Sequence, residues 1–185
     1  MERTKYNCVI GIDPGVNGGI AVFVIGKNTK AIKMPKDEEE LRAFLAYYAE
    51  NFKPIIFLEK LSIRPDDISV QGGEANMGKL YRIQKMMASY ERLKLVIEGL
   101  GVPYILVHPM KWQTALKLRT LGVKEEKADR KLRYRNTAAR LYMGVRVALW
   151  NADALLIMHF GRWALVNDEK WIRANLPERE HQKLF

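Results

Sequence analysis

Three acidic side chains interrupt apolar stretches of this 185-residue sequence. Asp13 ends the run CVIGID, Glu59 ends PIIFLE, and Asp153 lies in ADALLI at the start of another apolar stretch. Any one of these acids alone is more often a helix cap or an ion pair. An ionised carboxylate in apolar surroundings is costly unless it is neutralised, so the three together predict a shared cation. Mg²⁺, for which Mn²⁺ would substitute, prefers such oxygen ligands.

Two such ions about 4 Å apart would activate a water molecule and stabilise the leaving oxygen of a phosphodiester. This chemistry requires elements that bring the acids together. The patterns predict one α/β domain over residues 1–185. The predicted strands are residues 7–13, 19–25, a more exposed one within 26–35, 54–61 and 103–108, and the predicted helices are 36–52, 79–100 and 149–165. The turn PGVNG follows Asp13 directly, at the carboxyl end of a strand, where open α/β sheets place their sites.

The charge balance indicates a polyanionic partner. The chain carries 31 Lys and Arg against 21 Asp and Glu, a net charge of +10. Basic residues concentrate in residues 124–146, which favours a surface that follows a phosphate backbone. The residues expected to contact DNA are Lys124, Arg130, Lys131, Arg133 and Arg135.

Compartment and cofactor are constrained by what the sequence lacks. It has no apolar run of membrane-spanning length and no recognisable targeting segment, which predicts a cytoplasmic protein without a membrane partner. Cys8 is the single cysteine, expected as a buried thiol, and the three histidines are too widely spaced for a zinc pattern. No small-molecule cofactor is expected.

The acids lie in motifs that resemble those of a known nuclease family. IGIDPGVNGGIA resembles the first motif of the RuvC-like branch of the ribonuclease H superfamily. Residues 72–113 and the ADALLI segment resemble the phage and plant-plastid Holliday junction resolvases of that branch. The resemblance extends from about residue 8 to residue 163. The ordered set of motifs is more specific than the opening motif, which actin-like kinases share in part.

This resemblance implies a ribonuclease H-like fold, a mixed five-stranded sheet flanked by helices on both faces. It implies metal-dependent cleavage of four-way DNA junctions by a homodimer that makes two symmetric nicks. Asp13, Glu59 and Asp153 match the catalytic, metal-binding acids of the family, and Lys127 matches a catalytic lysine near the scissile phosphate. Lys111 is a weaker match of the same kind and is added to the DNA-binding set.

The sequence departs from the family at one place. The family carries a further acid, or a histidine with an acid, three or four residues before the last one, where this chain has Leu149 and Trp150. Asn151 is two residues before Asp153 and is expected to point away from it. The second ion is therefore expected to bind weakly, or to recruit another ligand such as His159 or Asp129. Retained catalysis is favoured because the other three acids are present.

Two alternative functions stay open at this stage. One is a branched-DNA-binding protein of the same fold that cleaves weakly or not at all. The other is a phosphotransferase of the actin-like type, which normally needs two such domains. The apolar stripe of residues 79–100 is open between a core face and a dimer interface. The charged tail from about residue 176 is open between fraying and a clasp onto a partner subunit.

Overall fold

A five-stranded sheet forms the centre of the molecule. The computed structural model describes residues 5–61, 77–119 and 125–177, with the Lys79 side chain left out. The strands are β1 Cys8–Asp13, β2 Gly19–Val24, β3 Lys30–Lys33, β4 Pro54–Glu59 and β5 Tyr104–Val107. Their order in the sheet is β3-β2-β1-β4-β5. Strands β1, β4 and β5 run parallel, and β2 is antiparallel to both β1 and β3, so the sheet is mixed.

Helices cover both faces of this sheet. The helices are α1 Glu38–Asn51, α2 Met77–Gly99, α3 Pro109–Ala115, α4 Lys127–Leu141, α5 Leu149–Asn167 and α6 Glu169–Asn175. One core cluster joins alternate strand residues such as Ile10 and Ile56 to Leu45 of α1 and Ile97 of α2. The other core cluster joins Val9 and the remaining alternate strand residues to α3, α4 and α5.

The central strands read as continuous apolar runs because both of their faces are covered. In β1 and β4 every residue before the terminal acid is buried. The mixed five-stranded sheet with helices on both faces, expected from the sequence, is confirmed. The predicted helix 79–100 corresponds to α2 and the predicted helix 149–165 to α5, each within two residues at its ends.

Helix α5 lies unusually close to the sheet. A Cβ built on Gly11, in β1, would overlap the backbone of Met158 and Ala154 in α5. A Cβ on Gly161, in α5, would overlap the Phe57 ring of β4. Gly11 and Gly161, which lie on facing elements, therefore permit α5 to pack closely on the sheet. The N-terminal turns of this helix contain Asp153.

The C-terminal part contains elements that the sequence patterns did not predict. Helix α6 packs Ile172 into the core, and Leu176 just after it is also buried. The predicted tail therefore starts from a buried residue, and residues 178–185 lie outside the described part. None of the described helices has the length and apolarity needed to cross a membrane.

Candidate active site at the carboxyl end of the sheet

Two of the three acids stand side by side because their strands are neighbours. Asp13 ends β1 and Glu59 ends β4, and the two strands run parallel with Ile12 opposite Leu58. The carboxyl ends of both strands therefore meet at the same edge of the sheet. Each acid is the one incompletely buried residue of its strand.

The third acid reaches this edge from α5. Asp153 lies in the second turn of the helix and is buried, with 7% of its surface exposed. Its Oδ2 accepts a hydrogen bond from the Lys131 ammonium of α4, which also forms an ion pair with it. Its Oδ1 is buried and has no hydrogen-bond partner among the described residues. A carboxylate oxygen left in this way is costly, because it has lost its water without gaining a donor.

The charges at this edge interact strongly. Burial, and then repulsion from Asp153, raise the pKa of Asp13, against the attraction of Lys131. Burial, and then repulsion from Asp13, raise the pKa of Glu59 to about 8, although a hydrogen bond from Trp112 opposes the rise. Both shifts favour the protonated, neutral forms of the two acids, because burial and then repulsion between the carboxylates disfavour their ionised forms.

Lys131 responds to the same charges in the opposite direction. Burial lowers the pKa of its ammonium, but attraction to Asp153, Asp13 and Glu59 outweighs that effect, and the net pKa is raised. Lys131 is therefore a firmly protonated cation inside a group of carboxylates.

The indole of Trp112 orients Glu59. Its Nε1 donates to Glu59 Oε1 at 3.0 Å, and the Trp112 side chain is fully buried in the middle of α3, against the Tyr134 ring. Trp112 therefore packs in the core and also fixes a site carboxylate.

The turn after Asp13 is shaped by space rather than by unusual backbone angles. Gly18 N–H donates to the Gly15 carbonyl at 2.7 Å, and a Cβ on Gly18 would overlap the Asp13 backbone oxygen and approach its Cγ to 2.9 Å. The described glycines with left-handed φ are Gly26 and Gly101, outside this turn. Close approach to Asp13, rather than a left-handed φ, therefore explains Gly18.

The donor set suits a hard divalent cation. Three carboxyl side chains, one of them with an unpartnered oxygen (Asp153 Oδ1), supply the hard oxygen ligands that Mg²⁺ or Mn²⁺ prefers. As the side chains stand, no group of three His, Cys, Asp or Glu residues within the described ranges is close enough to hold a metal ion. Joint ligation by Asp13, Glu59 and Asp153 would thus require their side chains to converge.

The positions of the missing acid are occupied by groups that cannot replace it. Leu149 is 54% exposed at the first position of α5. The partly buried Trp150 packs against Gly19, where an added Cβ would lie 3.1 Å from its ring, and the Lys33 ammonium is 6.0 Å from the ring centroid. Asn151 Oδ1 accepts from Ala148 N–H at 2.7 Å and its Nδ2 donates to the Arg146 carbonyl at 3.0 Å, so its amide caps the helix.

The two alternative ligands suggested by the sequence have other surroundings. His159 Nδ1 is 3.0 Å from the hydroxyl of Tyr142, and burial together with Arg162 lowers its pKa. Asp129 is exposed in the first turn of α4. Neither belongs to a described group of three potential ligands.

The predicted basic residues divide into paired and open ones. Lys111 Nζ is 2.8 Å from Asp168 Oδ2 and lies over the Trp171 ring. Arg133 holds Glu125 through two hydrogen bonds and also donates to the Leu118 carbonyl. Lys127 is exposed at the start of α4, and Arg130 and Arg135 are partly exposed on the same helix, while Lys124 lies outside the described residues. The roles assigned to all of them stay predictions.

Sequence reasoning missed Lys131 as the cation of the acid group, and assigned it only to DNA contact. A usable signal existed. Lys131 precedes the buried Tyr134 by three residues and the buried Ala138 by seven, which places it on the inward stripe of α4. Lys127, one turn earlier, belongs to the same stripe, so the sequence alone could not choose between the two lysines.

Comparison with known proteins gave structural matches only. No family model matches the chain, and no curated protein matches it. RuvC of Thermus thermophilus in complex with a Holliday junction substrate is similar, with 21% identity and a TM-score of 0.47, covering 85% of this chain and 93% of that one. A second structure of Thermus thermophilus RuvC has 18% identity and a TM-score of 0.49, covering 85% and 94%. The function must therefore be argued from the site residues themselves.

Proposed function

We propose that this chain is a divalent-metal-dependent endonuclease that resolves four-way DNA junctions. The observation that carries the proposal is the meeting of Asp13, Glu59 and Asp153 at one end of the sheet, within electrostatic reach of one another. A structural ion pair would account for Asp153, which is paired with Lys131, but it would not account for Asp13 and Glu59. The motifs that contain these acids resemble those of junction resolvases.

The reaction is hydrolysis of a phosphodiester, in which water adds to phosphorus and one P–O bond breaks. A divalent cation bound to the carboxylates would supply the charge that activates the water and stabilises the leaving oxygen. Trp112 holds Glu59 in place through its indole N–H. Gly18 permits the tight turn that follows Asp13, because any larger side chain there would overlap Asp13. The sequence-based role of Lys127 near the scissile phosphate remains part of the proposal.

Binding of branched DNA is supported by charge. The chain has a net charge of +10, and α4, whose Lys131 pairs with Asp153, presents exposed or partly exposed basic side chains along its length, among them Lys127, Arg130, Arg135 and Arg140. Cations along one helix follow a phosphate backbone without reading sequence. We expect them to hold the arms of the junction while the acids act on the strand.

Two symmetric nicks require two sites, so the proposal includes a homodimer. Helix α2 buries Tyr90 and Ile97 in the core, but Met77, Tyr81 and Leu95 are between 66% and 72% exposed. The apolar stripe read from the sequence is thus a core face in its C-terminal half, and exposed apolar side chains remain elsewhere on the helix. Light scattering after size exclusion is expected to give twice the chain mass.

The second candidate is a branched-DNA-binding protein that cleaves weakly or not at all. The observation in its favour is that the three acids do not form a ready metal-binding group, while Leu149 and Trp150 stand where a further acid is expected. Its DNA-binding surface would be the same as that of the nuclease.

A labelled four-way junction distinguishes the two candidates. The protein is incubated with the junction in Mg²⁺ and, separately, in EDTA, with linear duplex of the same length as a substrate control. Nicks in opposite strands of the junction that depend on Mg²⁺ support the nuclease. Glu59→Gln is expected to abolish them, whereas Glu50→Gln, the same change on the exposed face of α1, is expected to leave them unchanged. Junction binding without nicks in any condition would support the second candidate.

A further inference from the structure

The two oxygens of Asp153 have different surroundings. Oδ2 is held by the Lys131 ammonium, and Oδ1 is buried without a hydrogen-bond partner among the described residues. The Asp153 side chain is 10% exposed, and its Oδ1 is enclosed because that atom is itself buried. One oxygen of this acid is therefore already neutralised by the protein, and the other is available to a ligand.

The charges of the site can be balanced with one divalent ion. In their ionised forms Asp13, Glu59 and Asp153 carry three negative charges, and Lys131 supplies one positive charge. The remainder is two negative charges, which a single Mg²⁺ or Mn²⁺ neutralises. A second divalent ion would leave two excess positive charges in a partly buried site, where such an excess is costly.

The surroundings of Trp150 also disfavour a second ion. This side chain stands three residues before Asp153, on the same side of α5, and it packs on Gly19. The Lys33 ammonium is near its ring. A cation on this side would meet an indole and another ammonium instead of a carboxylate. The Asn151 amide, the nearest other oxygen donor in sequence, is occupied by the capping contacts with Ala148 and Arg146.

We propose that each chain binds a single divalent ion, and that the Lys131 ammonium takes the place of the second cation. This inference refines the proposed nuclease function and departs from the two-ion expectation drawn from the sequence. Lys131 remains partly exposed, with 34% of its side chain accessible, so its charge is open to a phosphate that approaches the acids. The lysine and the ion then stabilise the negative charge of the reacting phosphate from two sides.

The test is a count of bound ions in the purified protein without DNA. Isothermal titration with Mn²⁺, checked by electron paramagnetic resonance of the free ion, is expected to give one ion per chain in the wild type. Two ions per chain, or none, would overturn the proposal. Asp153→Asn is expected to abolish binding at the same concentrations.

A variant of the lysine tests its role as the second cation. Lys131→Met removes the charge that competes for Asp153, and is expected to bind Mn²⁺ about tenfold more tightly while junction cleavage falls. Lys170→Met, the same change at an exposed lysine of α6, is expected to leave Mn²⁺ affinity unchanged. Unaltered affinity in Lys131→Met would contradict the proposal. Should Lys131→Met not fold, Lys131→Arg keeps the charge and must still bind one ion.

The outcome is separable from that of the proposed function. Two bound ions together with junction cleavage would refute the single-ion arrangement and leave the nuclease intact. One bound ion without cleavage would support the arrangement and refute the nuclease.

Discussion

The two helical layers of this protein differ in what they bury. The layer formed by α1 and α2 meets the sheet through apolar and aromatic side chains. The opposite layer, formed by α3, α4 and α5, contains the two buried polar side chains of the described part, Asn151 and Asp153. The face covered by α1 and α2 therefore mainly stabilises the fold. The opposite face buries polar side chains at the site, which contribute less to stability than apolar ones would.

Asn151 and Asp153 show the same difference at shorter range. Both are buried in the first two turns of α5, two residues apart. Both the oxygen and the nitrogen of the Asn151 amide make a hydrogen bond, which is typical of a structural group. Asp153 leaves one oxygen without a partner, which is typical of a group that awaits a ligand.

The largest expected effect is a loss of junction cleavage without a loss of junction binding. Asp13→Asn is expected to reduce junction cleavage by about 100-fold or more, because it removes one of the carboxylate charges proposed to bind the cation. Junction affinity should stay the same or increase, since a negative charge beside DNA is lost. Single-turnover cleavage and gel-shift titration measure the two quantities. Cleavage at the wild-type rate would remove Asp13 from the proposed site.

A packing change between α5 and the sheet is expected to lower the stability of the protein. Gly11→Ala places a methyl group against the backbone of Met158 and Ala154 in α5, and is expected to lower the free energy of unfolding by about 1–3 kcal/mol. Gly144→Ala is the control, since its added methyl meets no atom within 4 Å. Urea unfolding of both variants checks the difference. Equal stabilities would mean that α5 does not pack closely on β1.

The ion-free protein is expected to lose stability as pH rises. The folded pKa of Glu59, about 8, lies above its ordinary value of 4.5. The contribution is complete below pH 4.5 and is lost as pH increases through about 8. The lowered pKa of His159 acts in the opposite direction near neutral pH.

The measurement is therefore the difference between wild type and Glu59→Gln in EDTA. Urea unfolding midpoints from pH 5 to 8.5 are expected to decrease more steeply for the wild type. Parallel curves would show that folding does not raise the pKa of Glu59.

The smallest expected effect concerns the basic side chains of α4. Arg135→Ala is expected to weaken junction binding and to reduce the slope of log affinity against log salt by about one. Arg133→Ala should instead lower stability, because Arg133 links Glu125 to the Leu118 carbonyl. Gel-shift titrations at several salt concentrations, with melting temperatures, distinguish these roles. A salt slope unchanged by Arg135→Ala would place the DNA elsewhere.

The sequence predicts the fold well where its apolar patterns are strong. The strands around Asp13 and Glu59 and the helix of Asp153 are continuous apolar runs, and their ends follow from the acids and glycines that interrupt them. The short helices α3 and α6 have seven residues each, too few to show a clear period. Helix α4 is so basic that its charges conceal its inward stripe.

The site could be predicted only in part. The types of its three acids and their positions at element ends were visible in the sequence. The pairing of Lys131 with Asp153 and the hydrogen bond from Trp112 to Glu59 were not. Both depend on the angle at which α3 and α4 pack on the sheet, and that angle follows from many small contacts rather than from a local pattern.

The central claim, that Asp13, Glu59 and Asp153 form a metal-binding catalytic group, is tested most directly by diffraction from crystals grown with Mn²⁺. One anomalous peak per chain is expected, about 2.1 Å from carboxylate oxygens that include those of Asp13 and Asp153. An empty site at saturating Mn²⁺, with Lys131 still paired to Asp153, would contradict it.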